Sequence, residues 1–313
     1  MTHEIVNKHD ITFKEVFSQK RIAKDFIINS IPKSALDVVD LDTLELVKDT
    51  FVNKDLKESF SDLIYKVKIK DEDAYICFLL EHKSYKDKMT VFQIQRYILE
   101  SWMMIVQKEN KDKLPIIVPL VIYHGKEKWN LDTDLRDMIY GFYDLPDYFK
   151  ERIPVFKYDF LNIGEYEEED FDRFKLLTAM MLRAFKYAFE KDIDLVLRTF
   201  LLDLHELAKH EPISTVEYYG QIYLKYIELN NKNITEEDIK RQVDKLDGKG
   251  AVSMGLLERR EQIGIEKGRI EGEKRARIKI AKNLLRAGAE VPLVAKSTGL
   301  SMSEVEDIQN KLK

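Results

Sequence analysis

The chain has 313 residues, 44% hydrophobic and 34% charged, which is enough for one large core or two to three smaller folded units and excludes a disordered tail. A single cysteine, Cys77, excludes an internal disulfide framework and a cysteine-built zinc site, so a reducing, cytoplasmic setting is expected. Lys and Arg number 51 against 56 Asp and Glu, a net charge of −5, so any surface made for a polyanion must be local.

The N-terminal MTHEIVNKHD lacks a positive-then-apolar leader pattern, and the best apolar run, Leu114 to Tyr123, is too short to span a bilayer. Neither secretion nor membrane insertion is expected. From Asp10 to Ile31 the residues Phe13, Val16, Phe17, Phe26 and Ile27 recur at helical spacing, with Pro32 as the stop, which predicts one amphipathic helix. Strand-like runs follow at Leu44 to Val52, Ser61 to Ile69, Ala74 to Lys83 and Pro115 to Tyr123. A long helix, Met89 to Gln107, separates the last two, and Pro154 to Ile163 supplies a closing strand. That order predicts an α/β domain over residues 1–165. The acidic stretch Glu165 to Asp170 opens an all-α extension, 166–247, with helical patterns at Phe171 to Glu190, Ile193 to His210 and Thr215 to Leu229.

Gly248, Gly250, Ser253 and Gly255 read as a linker to a helical tail, 256–313. The tail holds 13 Lys and Arg against 9 Asp and Glu, which leaves the remainder of the chain at −9. Lys274, Arg275, Arg277, Lys279, Lys282 and Arg286 fall in a stretch with no acidic residue, a candidate DNA-binding face; the bland alternative is a solvated helix side. Gly264, Gly268 and Gly272 make a small-residue stripe that suits either close helix approach, as in a homodimer through the tail, or fraying. The end, Val291 to Leu312, resembles a helix-turn-helix with Gly299 in the turn and Ser301 as N-cap. Its second helix carries Glu304, Glu306 and Asp307, which phosphate repels, so packing or dimerisation suits it better than base reading.

The chemistry concentrates in residues 59–84. Taking Lys70 to Asp73 as a polar turn pairs Ile69 with Ala74 and sets Asp62 directly across from Glu81, with Lys83 on the same face and His82 pointing away. Leu63, Tyr65, Val67, Phe78 and Leu80 then make the opposite, apolar face. Two facing carboxylates repel unless something neutralises them, and Mg²⁺ or Mn²⁺, which favour a few oxygen ligands plus water and phosphate, would do so. Lys83 would orient an attacking water or offset charge in the transition state. A surface hairpin with solvated charges fits the spacing equally well.

Asp62 followed by Glu81-His82-Lys83 resembles the D…E-x-K core of the PD-(D/E)XK nuclease superfamily. More narrowly, His9-Asp10 with Phe13-Lys14 and Phe17, SDLIY (61–65), LLEHKS (79–84), QRY (95–97) and LPIIVPLVIYHG (114–125) resemble the Rpn family of recombination-promoting nucleases, also described as YhgA-like transposases. The resemblance implies a restriction-endonuclease-like core, metal-dependent DNA endonuclease activity and a link to recombination, with Asp62, Glu81 and Lys83 catalytic and Asp62, Glu81 and the His82 carbonyl around the metal. Members often carry Gln where this chain has Lys83. Gln93 and Tyr97 resemble an accessory Q-x-x-x-Y motif of some PD-(D/E)XK nucleases; a polar residue and a half-buried Tyr on a surface helix is the plain alternative. A regulatory or nucleic-acid-binding protein on the same fold without effective catalysis, or an RNA phosphodiesterase, stands beside the DNA endonuclease.

Other candidates fall away. His205 and His210, five apart, point about 140° from each other on a helix, unlike a zinc-binding i, i+4 pair. His124 reads as a loop or capping residue, and Cys77 as core. No Gly-rich phosphate loop exists, so no nucleotide cofactor is expected.

Overall fold

The computed structural model describes residues 2–47, 61–81, 89–109, 113–125, 128–231, 234–245, 269 and 272–312. By contacts the chain divides into two compact units, Met1–Gly250 and Ala251–Lys313.

The N-terminal apolar stripe folds as two helices, α1 (Thr2–Phe17) and α2 (Lys20–Ser30), rather than the single helix expected from Asp10 to Ile31. Gln19 leaves the helical region, with φ −76° and ψ 110°, and its carbonyl accepts from the backbone N–H of Ile22 and Ala23 to start α2. The bend folds the stripe on itself, so that Phe17 and Phe26 meet edge to face at 5.1 Å.

Among the described residues five strands form one sheet in chain order: β1 (Val39–Leu46), β2 (Ser61–Ile69), β3 (Glu72–Glu81), β4 (Ile116–Tyr123) and β5 (Asp159–Asn162). The first three pair antiparallel; β3, β4 and β5 are parallel. Helix α3 (Thr90–Glu109) makes the crossover from β3 to β4 that parallel strands require. β3 is thus flanked by strands on both edges and covered on both faces, which explains its nearly continuous apolar run. On one face Phe78 packs with Tyr65 and Phe17, and the Tyr65 hydroxyl donates to the Phe17 carbonyl at 2.7 Å. On the other, Ile64, Tyr75, Cys77, Leu79 and Val121 share a core with Val91, Ile94, Tyr97, Ile98 and Ile105 of α3.

Among the described residues the longer helices that follow in the first unit are α4 (Leu176–Lys186), α5 (Ile193–Leu207), α6 (Ile213–Asn230) and α7 (Glu236–Lys245). Their core is continuous with that of α1. Phe185 on α4 meets Phe13 and Phe17, and the His9 ring nitrogen Nδ1 lies 2.7 Å from the Tyr226 hydroxyl on α6.

The second unit contains a helix over residues 272–286, here α8, then α9 (Val291–Thr298) and α10 (Met302–Asn310), around Ala281, Val294, Leu300, Val305 and Ile308. Gly299 ends α9 in the left-handed region, φ 69°, where a side chain would strain the backbone. Ser301 caps α10 by accepting from the Glu304 N–H, and the Glu304 carboxylate accepts in return from the Ser301 N–H. Among the described residues no helix is long and apolar enough to cross a membrane.

Candidate functional site

The β2–β3 register differs from the expected one. Lys70 and Asp71 both take positive φ, 49° and 65°, and form a two-residue turn of the kind that matches strand twist. Ile69 therefore pairs with Glu72 rather than Ala74, and Asp62 pairs with Leu79 rather than Glu81. Glu72 and Asp73, assigned by their polarity to the turn, are the first residues of β3. A slip of two preserves the faces. Positions 62, 79 and 81 still share one side of the sheet, with 62 and 81 now diagonal, a relation that spans about 7–8 Å against about 5 Å for a direct pair.

That shared side is not the open surface of an isolated hairpin. Leu79 is fully buried in the core with Tyr97 of α3, and Tyr97 itself is 1% exposed. Of the Gln93–Tyr97 pair, Tyr97 thus belongs to the core rather than lying half-buried on the helix surface, because its ring turns under the helix with Ile94 and Ile98. Gln93 is half-buried one turn earlier on α3. Glu81 ends β3 beside Tyr123, the last residue of the parallel strand β4. His82 and Lys83 lie outside the described residues. Among the described residues no group of three or more His, Cys, Asp or Glu is arranged to hold a metal ion.

The motif residues on α1 and after β4 turn out to be architectural. His9, Phe13 and Phe17 repeat at i, i+4, i+8 and point inward together. His124 is 2% exposed, not a loop cap: its ring stacks on Phe189 at 5.7 Å and lies 5.3 Å from His9. Asp10 is occupied by Lys14 at 3.0 Å, one turn along. Tyr123 turns to the other side, against Trp129 at 5.0 Å. A Cβ on Gly125 would fall inside the Tyr123 ring, so any other residue there must push that ring aside. Gly125→Ala is expected to cost about 1–3 kcal/mol by displacing that ring, read as a lower midpoint in urea unfolding.

Sequence reading missed a buried polar cluster. Arg183 on α4 reaches Glu168 at 3.0 Å and Asp203 of α5 at 2.8 Å, and the Tyr187 hydroxyl donates to Glu168. Burial pushes the Asp203 carboxyl up to about 7, against the pull of Arg183. Asp203 sits at a core-facing position of an apolar helix, and that misfit was the available signal.

In the tail, Lys274 pairs with Glu304 at 3.5 Å and Arg277 with Glu273 at 3.9 Å, so part of the basic run is neutralised by carboxylates outside it. Lys279, Lys282 and Arg286 are exposed at i, i+3, i+7 and share a face of α8, with Arg275 in line one turn earlier. His210 is exposed and 3.3 Å from Glu206.

A sheet that begins antiparallel and ends parallel, with a carboxylate position on β2 and another at the end of its central strand, defines a mixed α/β protein compatible with an α/β nuclease fold. The family model described as "Putative transposase, YhgA-like" matches residues 7–214, and the chain belongs to that family. It is 31% identical over 126 residues to recombination-promoting nuclease RpnD of Escherichia coli O157:H7, covering 39% of this chain and 48% of that protein. It is 35% identical over 119 residues to recombination-promoting nuclease RpnA of E. coli K12, covering 38% and 40%. Against the inactive recombination-promoting nuclease-like protein RpnE of E. coli K12 it is 33% identical over 118 residues, 38% and 39%. The chain thus spans less than half the length of these relatives. No solved structure matches it.

Proposed function

We propose that this protein is a metal-dependent DNA endonuclease of the PD-(D/E)XK type that cleaves phosphodiester bonds in recombination. The observation that carries the reading is the β2–β3 register, which keeps positions 62 and 81 diagonal on one face of the sheet. The nuclease names of the relatives support the same class of activity.

Asp62, Glu81 and the His82 carbonyl are an all-oxygen donor set, the type that hard divalent cations take, and so fit Mg²⁺ or Mn²⁺. The cation would supply Lewis-acid polarisation of the phosphoryl group and a more acidic bound water. The chain's own residues do the rest. The two carboxylates offer oxygen atoms that accept. Lys83 neutralises charge that develops on the phosphoryl oxygens and orients the attacking water. Gln93 and Tyr97, on the helix packed over Leu79, position the strand that bears Glu81.

Purified protein is expected to nick supercoiled plasmid with Mg²⁺ and to lose that activity in EDTA. An intact plasmid under both conditions would favour a catalytically silent protein, a reading that the name of RpnE keeps in view. Cleavage of RNA alone would move the substrate and keep the chemistry. DNA contact through α8 has its own readout: Lys279→Glu with Lys282→Glu is expected to flatten the dependence of duplex binding on salt by about two phosphate contacts. Parallel lines for wild type and double variant would leave the tail with assembly alone.

A further inference from the structure

Helix α3 is apolar on two sides. Its inner side packs on the sheet through Val91, Ile94, Tyr97, Ile98 and Ile105. Its outer side presents Phe92, Leu99, Met103 and Val106, in line with Met89 just before its first residue, each 39–61% exposed. A helix apolar all round is normally covered all round, and contiguous exposed apolar surface marks an interaction site. The outer residues fall at 89, 92, 96, 99, 103 and 106. This is the alternating three-four spacing of a coiled-coil seam, with Arg96 as its one polar member. Arg96 is held to Glu100 at 2.8 Å along the helix.

We infer that α3 pairs antiparallel with α3 of a second copy of this chain, about a two-fold axis passing between Tyr97 and Ile98. The occupant is argued from self-complementarity. In that register Met89 layers on the partner's Val106, Phe92 on the partner's Met103 and Arg96 on the partner's Leu99, each contact occurring twice as two-fold symmetry requires. Arg96 then lies beside the partner's Glu100, and the two intrahelical pairs close into a ring of alternating charge. Parallel pairing would instead set Arg96 against the partner's Arg96 inside the seam, where like charges repel. A polar residue at a single seam position is a known device for fixing orientation. The inference stands apart from the nuclease reading and from dimerisation through the tail.

The test is the mass of the full-length chain in solution across a concentration series. Wild type is expected at twice the monomer mass. Leu99→Glu is expected to halve it without altering the circular dichroism spectrum, because Leu99 lies outside the core. Arg96→Glu puts four carboxylates at the axis and is expected to do the same, while Arg96→Glu with Glu100→Arg restores the dimer. Orientation has a separate readout. Phe92→Cys with Met103→Cys is expected to cross-link under oxidation and Phe92→Cys alone is not; Cys77 is buried and does not compete. A wild type that is monomeric throughout, or a dimer that survives both Leu99→Glu and Arg96→Glu, would overturn the inference. A cross-link in Phe92→Cys alone would overturn the antiparallel register.

Discussion

Glu81→Ala and Asp62→Ala are each expected to lower plasmid nicking by roughly a thousandfold or more while the protein stays folded. The expectation of folding rests on place. Asp62 is the second residue of β2 and Glu81 the last of β3, outside the hairpin's own members of the buried cluster, Ile64, Tyr75, Cys77 and Leu79. Neither substitution touches the apolar side chains that the hairpin gives to that cluster. Leu79→Ala is the contrasting control: it deletes a fully buried side chain two residues earlier and is expected to cost about 2–5 kcal/mol of stability. Nicking assays read beside urea unfolding separate the two kinds of loss. Activity that persists in Glu81→Ala at wild-type purity and metal content would remove Glu81 from the site.

The strands β2 to β4 and their faces were legible because a period of two and β-branched or aromatic residues mark them directly; β1 runs Val39–Leu46, earlier than the expected Leu44 to Val52, whose residues 48–52 lie outside the described residues. The order of elements followed from the same pattern, since Met89 to Gln107 is too long and too regularly apolar for anything but a helix. What failed was turn chemistry. Lys-Asp is not a dipeptide that advertises a two-residue turn with positive φ at both positions, so polarity alone assigns all four residues 70–73 to the loop and shifts the register by two. The faces survived that error because parity did, so positions 62 and 81 still fall on one side of the sheet, diagonal rather than directly paired.

The remaining differences come from tertiary contacts that no local pattern carries. Gln19 breaks the first helix so that Phe17 and Phe26 can share one aromatic cluster, a demand set by Phe78 about 50 residues on. His124 follows an apolar strand and precedes a glycine, which looks like a loop; its surroundings, Phe185, Phe189 and His9, come from two distant segments. Asp203 belongs with these. A lone acid among leucines announces a buried partner but does not name it, and Arg183 lies 20 residues back.

Arg183→Met is expected to destabilise the first unit by about 3–5 kcal/mol, because it strands Asp203 in an apolar interior. The Asp203 Oδ2 atom is buried without a hydrogen-bond partner, and among the described residues Arg183 is the cation paired with its other oxygen. Replacing both charges, Arg183→Met with Asp203→Leu, is expected to recover most of the loss, as buried ion pairs are seldom better than the apolar packing that can replace them. The pH dependence has a definite sign. Burial raises the Asp203 carboxyl up to about 7, with Glu168 adding to the rise and Arg183 opposing it. Between the ordinary carboxylate range and that value the folded chain binds a proton that the unfolded chain has released. The contribution is therefore fully present below the unfolded pKa and is lost as pH rises through about 7. Asp203→Asn keeps the shape, removes the titration and is expected to flatten this part of the stability profile. In Arg183→Met the opposing charge is gone, so the decline should extend to higher pH than in wild type. Urea midpoints of the three proteins at about pH 5 and about pH 8 measure both effects. If wild type and Asp203→Asn change in parallel between those conditions, Asp203 does not titrate there.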